Sequence, residues 1–89
     1  MIRRRVRVHG RVQGVFFRGT CRDLARSIGV SGWVRNEPDG SVLAVFEGPP
    51  DLVEQMCRWC ERGPDHARVS RVEVFEEQPE GLTSFRVSY

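Results

Sequence analysis

The sequence predicts a two-layer α/β sandwich: a sheet covered on one face by two helices, in the order β-α-β-β-α-β, with a short extra strand at the C-terminus. Three observations carry this. Apolar residues change between a period of two and a period of about 3.6 along the chain, twice in each direction. Glycine or proline marks most of the changes. The 89 residues suffice for one compact core, so the elements must share it.

The first strand is Arg5 to Gly10, where Val6 and Val8 alternate with Arg5, Arg7 and His9. Gly10 to Phe16 reads as a loop with two glycines. From Phe17 the pattern is helical, with Phe17, Cys21, Leu24, Ala25 and Ile28 on one face, and Gly29 is placed to close the helix in a left-handed conformation. Val30 to Asn36 is the second strand, with Trp33 expected in the core. Glu37-Pro38-Asp39-Gly40 has turn chemistry, and Val42 to Phe46 follows as an apolar third strand, making a hairpin. Gly48-Pro49-Pro50 stops it. A second helix begins near Asp51 and ends before Gly63-Pro64, with Leu52, Val53, Met56, Cys57, Trp59 and Cys60 as its apolar stripe. Arg68 to Glu76 is the fourth strand. Beyond the Gln78-Pro79-Glu80-Gly81 turn, Phe85, Val87 and Tyr89 alternate with polar residues as a short fifth strand. Each helix joins strands that run parallel, and right-handed crossovers put both helices on one face. The expected architecture is ferredoxin-like, one domain over residues 1–89. That fold serves many functions, so function has to be read from a site.

Composition excludes several classes. Hydrophobic residues are 39% and net charge is +2, against disorder. No apolar run approaches the length of a membrane span. Met1-Ile2-Arg3-Arg4-Arg5 begins like a signal peptide, but no apolar core follows it, and the expected location is cytoplasmic. Every basic residue is arginine; without lysine there is neither a Schiff base nor a Walker-type phosphate loop. Charge is uneven, +8 over residues 1–35 and −6 over residues 36–89, which favours anions at surfaces built from the N-terminal part unless folding mixes the halves. Cys57-Arg58-Trp59-Cys60 is a C-x-x-C late in a helix, not at its start, so both cysteines read as packing groups. Cys21, His9 and His66 have no metal-type spacing to that pair, and no metal or cofactor is expected. His9 and His66 read as surface or local hydrogen-bonding residues.

The informative segment is Gly10-Arg11-Val12-Gln13-Gly14-Val15-Phe16-Phe17-Arg18. A strand runs into a glycine loop and then into a helix N-terminus, whose first N–H groups lack intrahelical acceptors and carry partial positive charge. Gly14 permits the positive φ that turns successive N–H groups toward one concavity, an arrangement suited to phosphate. The apolar run Val15-Phe16-Phe17 would anchor the loop. Arg18 falls in the first helical turn, where a cation costs roughly 0.3–1 kcal/mol unless an anion offsets it. Its planar fork suits a phosphoryl group. Asn36 lies at the end of the neighbouring strand; alone, it would read as a turn residue.

Gly10 to Arg18 resembles the signature loop of the acylphosphatase family, and Gly32-Trp33-Val34-Arg35-Asn36-Glu37-Pro38-Asp39-Gly40-Ser41-Val42 resembles its second signature. The likeness spans the chain and is to the free-standing enzyme rather than to the same domain within larger carbamoyl-transfer hydrogenase-maturation proteins. It implies hydrolysis of a carboxyl–phosphate anhydride to carboxylate and inorganic phosphate. Arg18 would bind the phosphoryl group with loop N–H groups from Gln13, Gly14, Val15, Phe16, Phe17 and Arg18, and Asn36 would orient the attacking water. The implied partner is a small acyl phosphate, with inorganic phosphate as product and competitive inhibitor; nothing in the sequence demands more than a monomer. Neither a membrane nor a specific nucleic acid is expected. An RNA-binding sheet would carry stacking aromatics on strands one and three, which here are Arg5-Val6-Arg7-Val8-His9 and Ser41-Val42-Leu43-Ala44-Val45-Phe46. The Arg3-Arg4-Arg5 cluster is expected to be a solvated edge. A regulatory ligand-binding module, the remaining alternative, would not need Arg18 together with Asn36.

Overall fold

A computed structural model of the chain describes residues 1–89. Five strands, β1 (Ile2–Arg11), β2 (Ser31–Asn36), β3 (Val42–Gly48), β4 (Arg68–Glu77) and β5 (Phe85–Val87), alternate with two helices, α1 (Phe17–Ile28) and α2 (Pro50–Cys60). The sheet order is β4-β1-β3-β2-β5. β1 pairs antiparallel with β3 and β4, β2 antiparallel with β3, and β5 parallel with β2. β1 and β2 therefore run parallel without touching, as do β3 and β4, which is the split arrangement expected of two interleaved β-α-β units.

The strand pleat sends alternate residues to opposite faces. Val6, Val8, Val34, Val42, Ala44 and Phe46 point to the helices and meet Phe17, Cys21 and Ala25 of α1 and Val53, Met56 and Cys60 of α2. Phe85 stacks on Phe46 with ring centroids 5.9 Å apart, so β5 carries a core residue despite its three-residue length. Gly29 closes α1 in the left-handed region (φ 82°). Val30, read as strand, lies just outside it: its N–H donates to the Ala25 carbonyl as part of the helix stop.

The other face of the sheet has no helix on it, and here two expectations are corrected. Trp33 is not core: it stands on this face, half-buried, with the Arg35 guanidinium 4.8 Å above its ring. One residue's shift in the pleat separates it from buried Val34. The Arg3-Arg4-Arg5 cluster is not a solvated edge. Arg3 is buried and bonds Glu47 at 2.6 Å and Glu77 at 2.9 Å, while Arg4 and Arg5 pair with Glu76 and Glu77. Folding thus brings the acidic half of the chain onto the basic half.

Glu47 itself is fully buried. It also accepts the N–H groups of Glu80, Gly81 and Leu82 at 3.0–3.1 Å. Burial pushes its carboxyl up, but the three N–H bonds and Arg3 outweigh this and hold it below the usual range. Glu47 thereby ties the segment before β5 to the sheet. At the first residue of β5, Arg26 of α1 donates twice to the Phe85 carbonyl, at 2.9 and 3.0 Å.

Cys21 and Cys60 are fully buried and Cys57 is partly buried against the core; all three are free thiols. Burial raises the pKa of each, opposite to the shift a reactive thiol needs. They pack, as the apolar face of α1 predicts for Cys21 and the α2 stripe for Cys57 and Cys60. No group of three His, Cys, Asp or Glu side chains is arranged to hold a metal ion, and no helix is long and apolar enough to cross a membrane.

Candidate active site

Between the end of β1 and the start of α1 the backbone makes a tight cup. Gly14 and Phe16 both have positive φ, 74° and 63°. For Gly14 this is free of steric cost. For Phe16 it is strained, and the aromatic ring is 83% exposed. The apolar run therefore anchors the loop at only two of its three positions: Val15 and Phe17 are buried, and Phe16 is not. A left-handed residue between two core contacts is what drives the middle side chain outward. Phe17 packs on Trp59 of α2 with centroids 5.0 Å apart, which fixes the start of α1.

The loop's N–H groups are free. The first backbone donor in α1 with an acceptor is Thr20, to the Phe16 carbonyl at 3.1 Å. Gly14 through Gly19 donate to nothing in the protein. Gln13 serves differently from its neighbours. Its side-chain amide donates to the Glu37 and Ser41 carbonyls at 2.8 and 2.9 Å, tying the loop to the β2–β3 turn.

A cleft of about 390 Å³ opens against this loop. Gly14, Phe16, Phe17 and Arg18 line it from the loop and helix, and Asn36 from the end of β2. Gln13 and Val15 do not line it. The sequence reading thus has four of its six loop residues and its strand residue on one cleft, although Arg18 and Asn36 are 18 positions apart in the chain. Arg22, Val87 and Tyr89 also line it and were not anticipated. Arg22 had a signal, lying four residues after Arg18 and so on the same helix face. Val87 and Tyr89 had none, because only the strand order puts β5 beside β2.

Arg18 forms no salt bridge and no side-chain hydrogen bond; half of the fourteen arginines pair with carboxylates, and it is among those that do not. Its guanidinium carbon lies 5.0 Å from the centroid of the Tyr89 ring. A cation–π contact takes up none of the guanidinium's hydrogen-bonding capacity, so its N–H donors stay available. The Asn36 amide is also unengaged. The turn after it is held by other groups: Asp39 accepts from the Ser41 N–H and hydroxyl at 2.9 and 2.6 Å, and Gln13 bonds its carbonyls. Asn36 is therefore not the residue that builds the turn.

Free backbone donors, an unpaired arginine and an unengaged amide on one cleft give this sandwich the donor set that suits an oxyanion, with a neutral polar group beside it. Comparison with known proteins narrows that class. The acylphosphatase family model matches residues 4–87. The acylphosphatase of Rubrobacter xylanophilus is 61% identical over 77 residues, covering 86% of this chain and 70% of that one. That of Thermococcus kodakarensis is 55% identical over 86 residues, covering 97% and 94%. The crystal structure of an acylphosphatase from Bacillus subtilis superposes over the whole of both chains with a TM-score of 0.95 at 33% identity. The chain belongs to the acylphosphatase family.

Proposed function

We propose that this protein hydrolyses acyl phosphates, R–CO–O–PO₃²⁻, and that Arg18, the loop N–H groups and Asn36 do the work. The observation that carries the reading is the convergence of Arg18 and Asn36 on one cleft, the side chain of each free of hydrogen bonds and ion pairs within the protein. The phosphoryl oxygens occupy the cup of N–H groups from Gln13 to Arg18, with Gly14, Phe16, Phe17 and Arg18 nearest the cleft, and the guanidinium fork takes two of them. Asn36 accepts a hydrogen bond from water through its amide oxygen and donates through its NH₂ to a phosphoryl oxygen. The water oxygen forms a bond to phosphorus while the bond to the acyl oxygen breaks. The electron pair leaves with the carboxylate, and the water's proton passes to the phosphoryl group.

This chemistry needs few groups. A carboxylate is stable without protonation near pH 7, so no general acid is required. The transition state is loose and catalysis is mainly positioning and charge stabilisation. Fixed N–H dipoles and Arg18 supply that charge, which makes a metal unnecessary for the step. The acting unit is one domain, residues 1–89, working as a monomer, with inorganic phosphate as product and competitor. All three cysteines are free thiols, the state a reducing cytoplasm maintains. Nucleic acid is a poor fit for the open sheet face: its central strands β1 and β3 present Arg3, Arg5 and Arg7 beside Leu43, Val45 and Glu47 instead of stacking aromatics, and the aromatics of the outer strands, Phe75 and Trp33, carry Arg5 and Arg35 over their rings.

The test separates the two side chains. Arg18→Ala and Arg18→Lys should each lower benzoyl phosphate turnover by about 10²–10³, since lysine keeps the charge but not the fork. Arg18→Ala should also bind inorganic phosphate weakly. Asn36→Ala should lose kcat to a similar degree while phosphate inhibition stays near native. Near-normal turnover by Arg18→Ala refutes the assignment, and a destabilised but fully active Asn36→Ala removes Asn36 from the site.

A further inference from the structure

β5 is, on local grounds, the weakest wall of the Arg18 cleft. It is three residues long, lies at the edge of the sheet and pairs with β2 alone, in the parallel sense, which holds less well than antiparallel pairing. Yet Val87 in this strand and Tyr89 just beyond it both line the cleft. Backbone bonds flank the strand: the Gly32 N–H donates to the Ser84 carbonyl at 2.9 Å, and the Ser88 N–H to the Val34 carbonyl at 2.8 Å. Both join it to β2 and its flank. Neither ties it to α1, the element that carries Arg18.

Arg26 supplies that tie. Its Nε and Nη2 both donate to the Phe85 carbonyl, at 3.0 and 2.9 Å. The other arginine-to-carbonyl bonds, from Arg4 and Arg68, are single and go to the residue just before in the chain. Arg26 stands eight residues after Arg18 with Arg22 midway, so the three recur at four-residue spacing along one side of α1. Eight helical residues rise about 12 Å, and the four steps from Phe85 to Tyr89 extend about 13 Å. Helix and strand segment therefore meet in step at two points: Arg26 on the Phe85 carbonyl, and the Arg18 guanidinium 5.0 Å from the Tyr89 ring centroid. Between these points, Arg22 and Val87 line the cleft.

We infer that Arg26 is a positioning residue for the reaction: by holding the Phe85 carbonyl to α1, it fixes β5 at the spacing that sets the Tyr89 ring against the Arg18 guanidinium. This rests on the activity proposed above and extends its machinery beyond the cleft, which Arg26 does not line. A cation in the last turn of a helix ordinarily serves that helix's own carbonyls; here both donors go to the strand instead. Without them β5 stays in the sheet, since Phe85 still stacks on Phe46 and the strand still pairs with β2. What goes is the pair of hydrogen bonds across to α1. The ring then shifts against Arg18, and the guanidinium meets the phosphoryl group over a wider range of orientations.

The experiment is a double-mutant cycle on benzoyl phosphate hydrolysis, with Arg26→Met and Tyr89→Ala. Methionine keeps an unbranched stem and a good helix propensity while removing every donor. Arg26 is exposed, and urea unfolding checks that each variant folds. Arg26→Met should lower kcat/KM about five-fold, the scale of an exposed cation–π contact, and weaken inhibition by inorganic phosphate by a similar factor. Tyr89→Ala should lose about as much. The double variant should match either single variant to within about two-fold in kcat/KM, whereas the shifts in urea midpoint should add. Losses in kcat/KM that multiply overturn the inference, because Arg26 then acts apart from the ring. A kcat/KM for Arg26→Met within about two-fold of wild type overturns it outright. Arg86→Ala removes the same charge from β5 itself and spares the clamp; an equal loss there assigns the effect to a general field and overturns the inference too. Should Arg26→Met melt below the assay temperature, Arg26→Ala is read by the same criteria. Failure of the underlying activity looks different: benzoyl phosphate would be untouched by wild type, or its hydrolysis would survive Arg18→Ala.

Discussion

Replacing Glu47 by Gln removes one charge and no volume, and the structure makes its cost calculable. The carboxylate receives four hydrogen bonds, one from Arg3 at 2.6 Å and three from the N–H groups of residues 80–82. An amide keeps one oxygen but turns NH₂ toward groups that are all donors. Arg3 is 8% exposed and keeps Glu77 and Glu80 as partners, so the cost falls at the low end of the range for breaking a buried ion pair. About 3 kcal/mol is expected, against a total of roughly 4–13 kcal/mol for a domain of this size. The melting temperature should fall by about 12–24 °C. Urea unfolding followed by tryptophan fluorescence measures it. The pH dependence supplies a second check. Because the folded-state pKa of Glu47 is depressed, its contribution is complete above the unfolded value of about 4.3 and is lost as pH falls through the folded value. The gap between wild type and variant should therefore narrow on acidification. A gap below 1 kcal/mol at pH 7, or one that does not change down to pH 3, would refute this account of Glu47.

Other perturbations bear on the loop and the core. Gln13→Ala should raise KM for acyl phosphates more than it lowers kcat, as steady-state kinetics would show, because it frees the loop from the β2–β3 turn without removing a group from the cleft. Phe17→Ala should cost about 3–5 kcal/mol. Phe16→Gly should cost less than about 1 kcal/mol, since it removes an exposed ring and relieves a left-handed residue; paired denaturant curves compare the two. Cys57→Ala with Cys60→Ala should cost a few kcal/mol at most, by cavity formation. Activity per folded molecule should persist in that variant, and EDTA should leave wild-type activity unchanged; inactivation by chelation with recovery on zinc would refute the packing role.

Much of this protein was legible in the chain because it depends on local rules. Residue periodicity placed all seven elements to within a few residues, since helices and strands impose different spacings on whatever they bury. Gly29 announced the end of α1 because few other residues accept its backbone. The strand–glycine–helix junction announced an anion site, since free N–H groups at a helix start follow from helix geometry alone. The pairing of Arg18 with Asn36 was legible through likeness to a family, not through local physics: nothing within either segment brings them together.

What remained was decided by tertiary contacts. Periodicity says that Trp33 and Val34 lie on opposite faces of β2, but which face receives helices depends on the crossovers, and Trp33 came out on the open side. Phe16 and Phe17 are identical in composition terms; one left-handed residue exposes the first while Trp59 buries the second. The charge imbalance of the two halves was neutralised where β4 and the β3 residue Glu47 came alongside β1, and persisted at the arginines of the N-terminal part that no acid reached, Arg11, Arg18 and Arg26. Sequence fixes which groups the chain carries and how each segment folds; which charges end up neutralised is settled by strand order and register, because an ion pair depends on distance through space and not on separation along the chain.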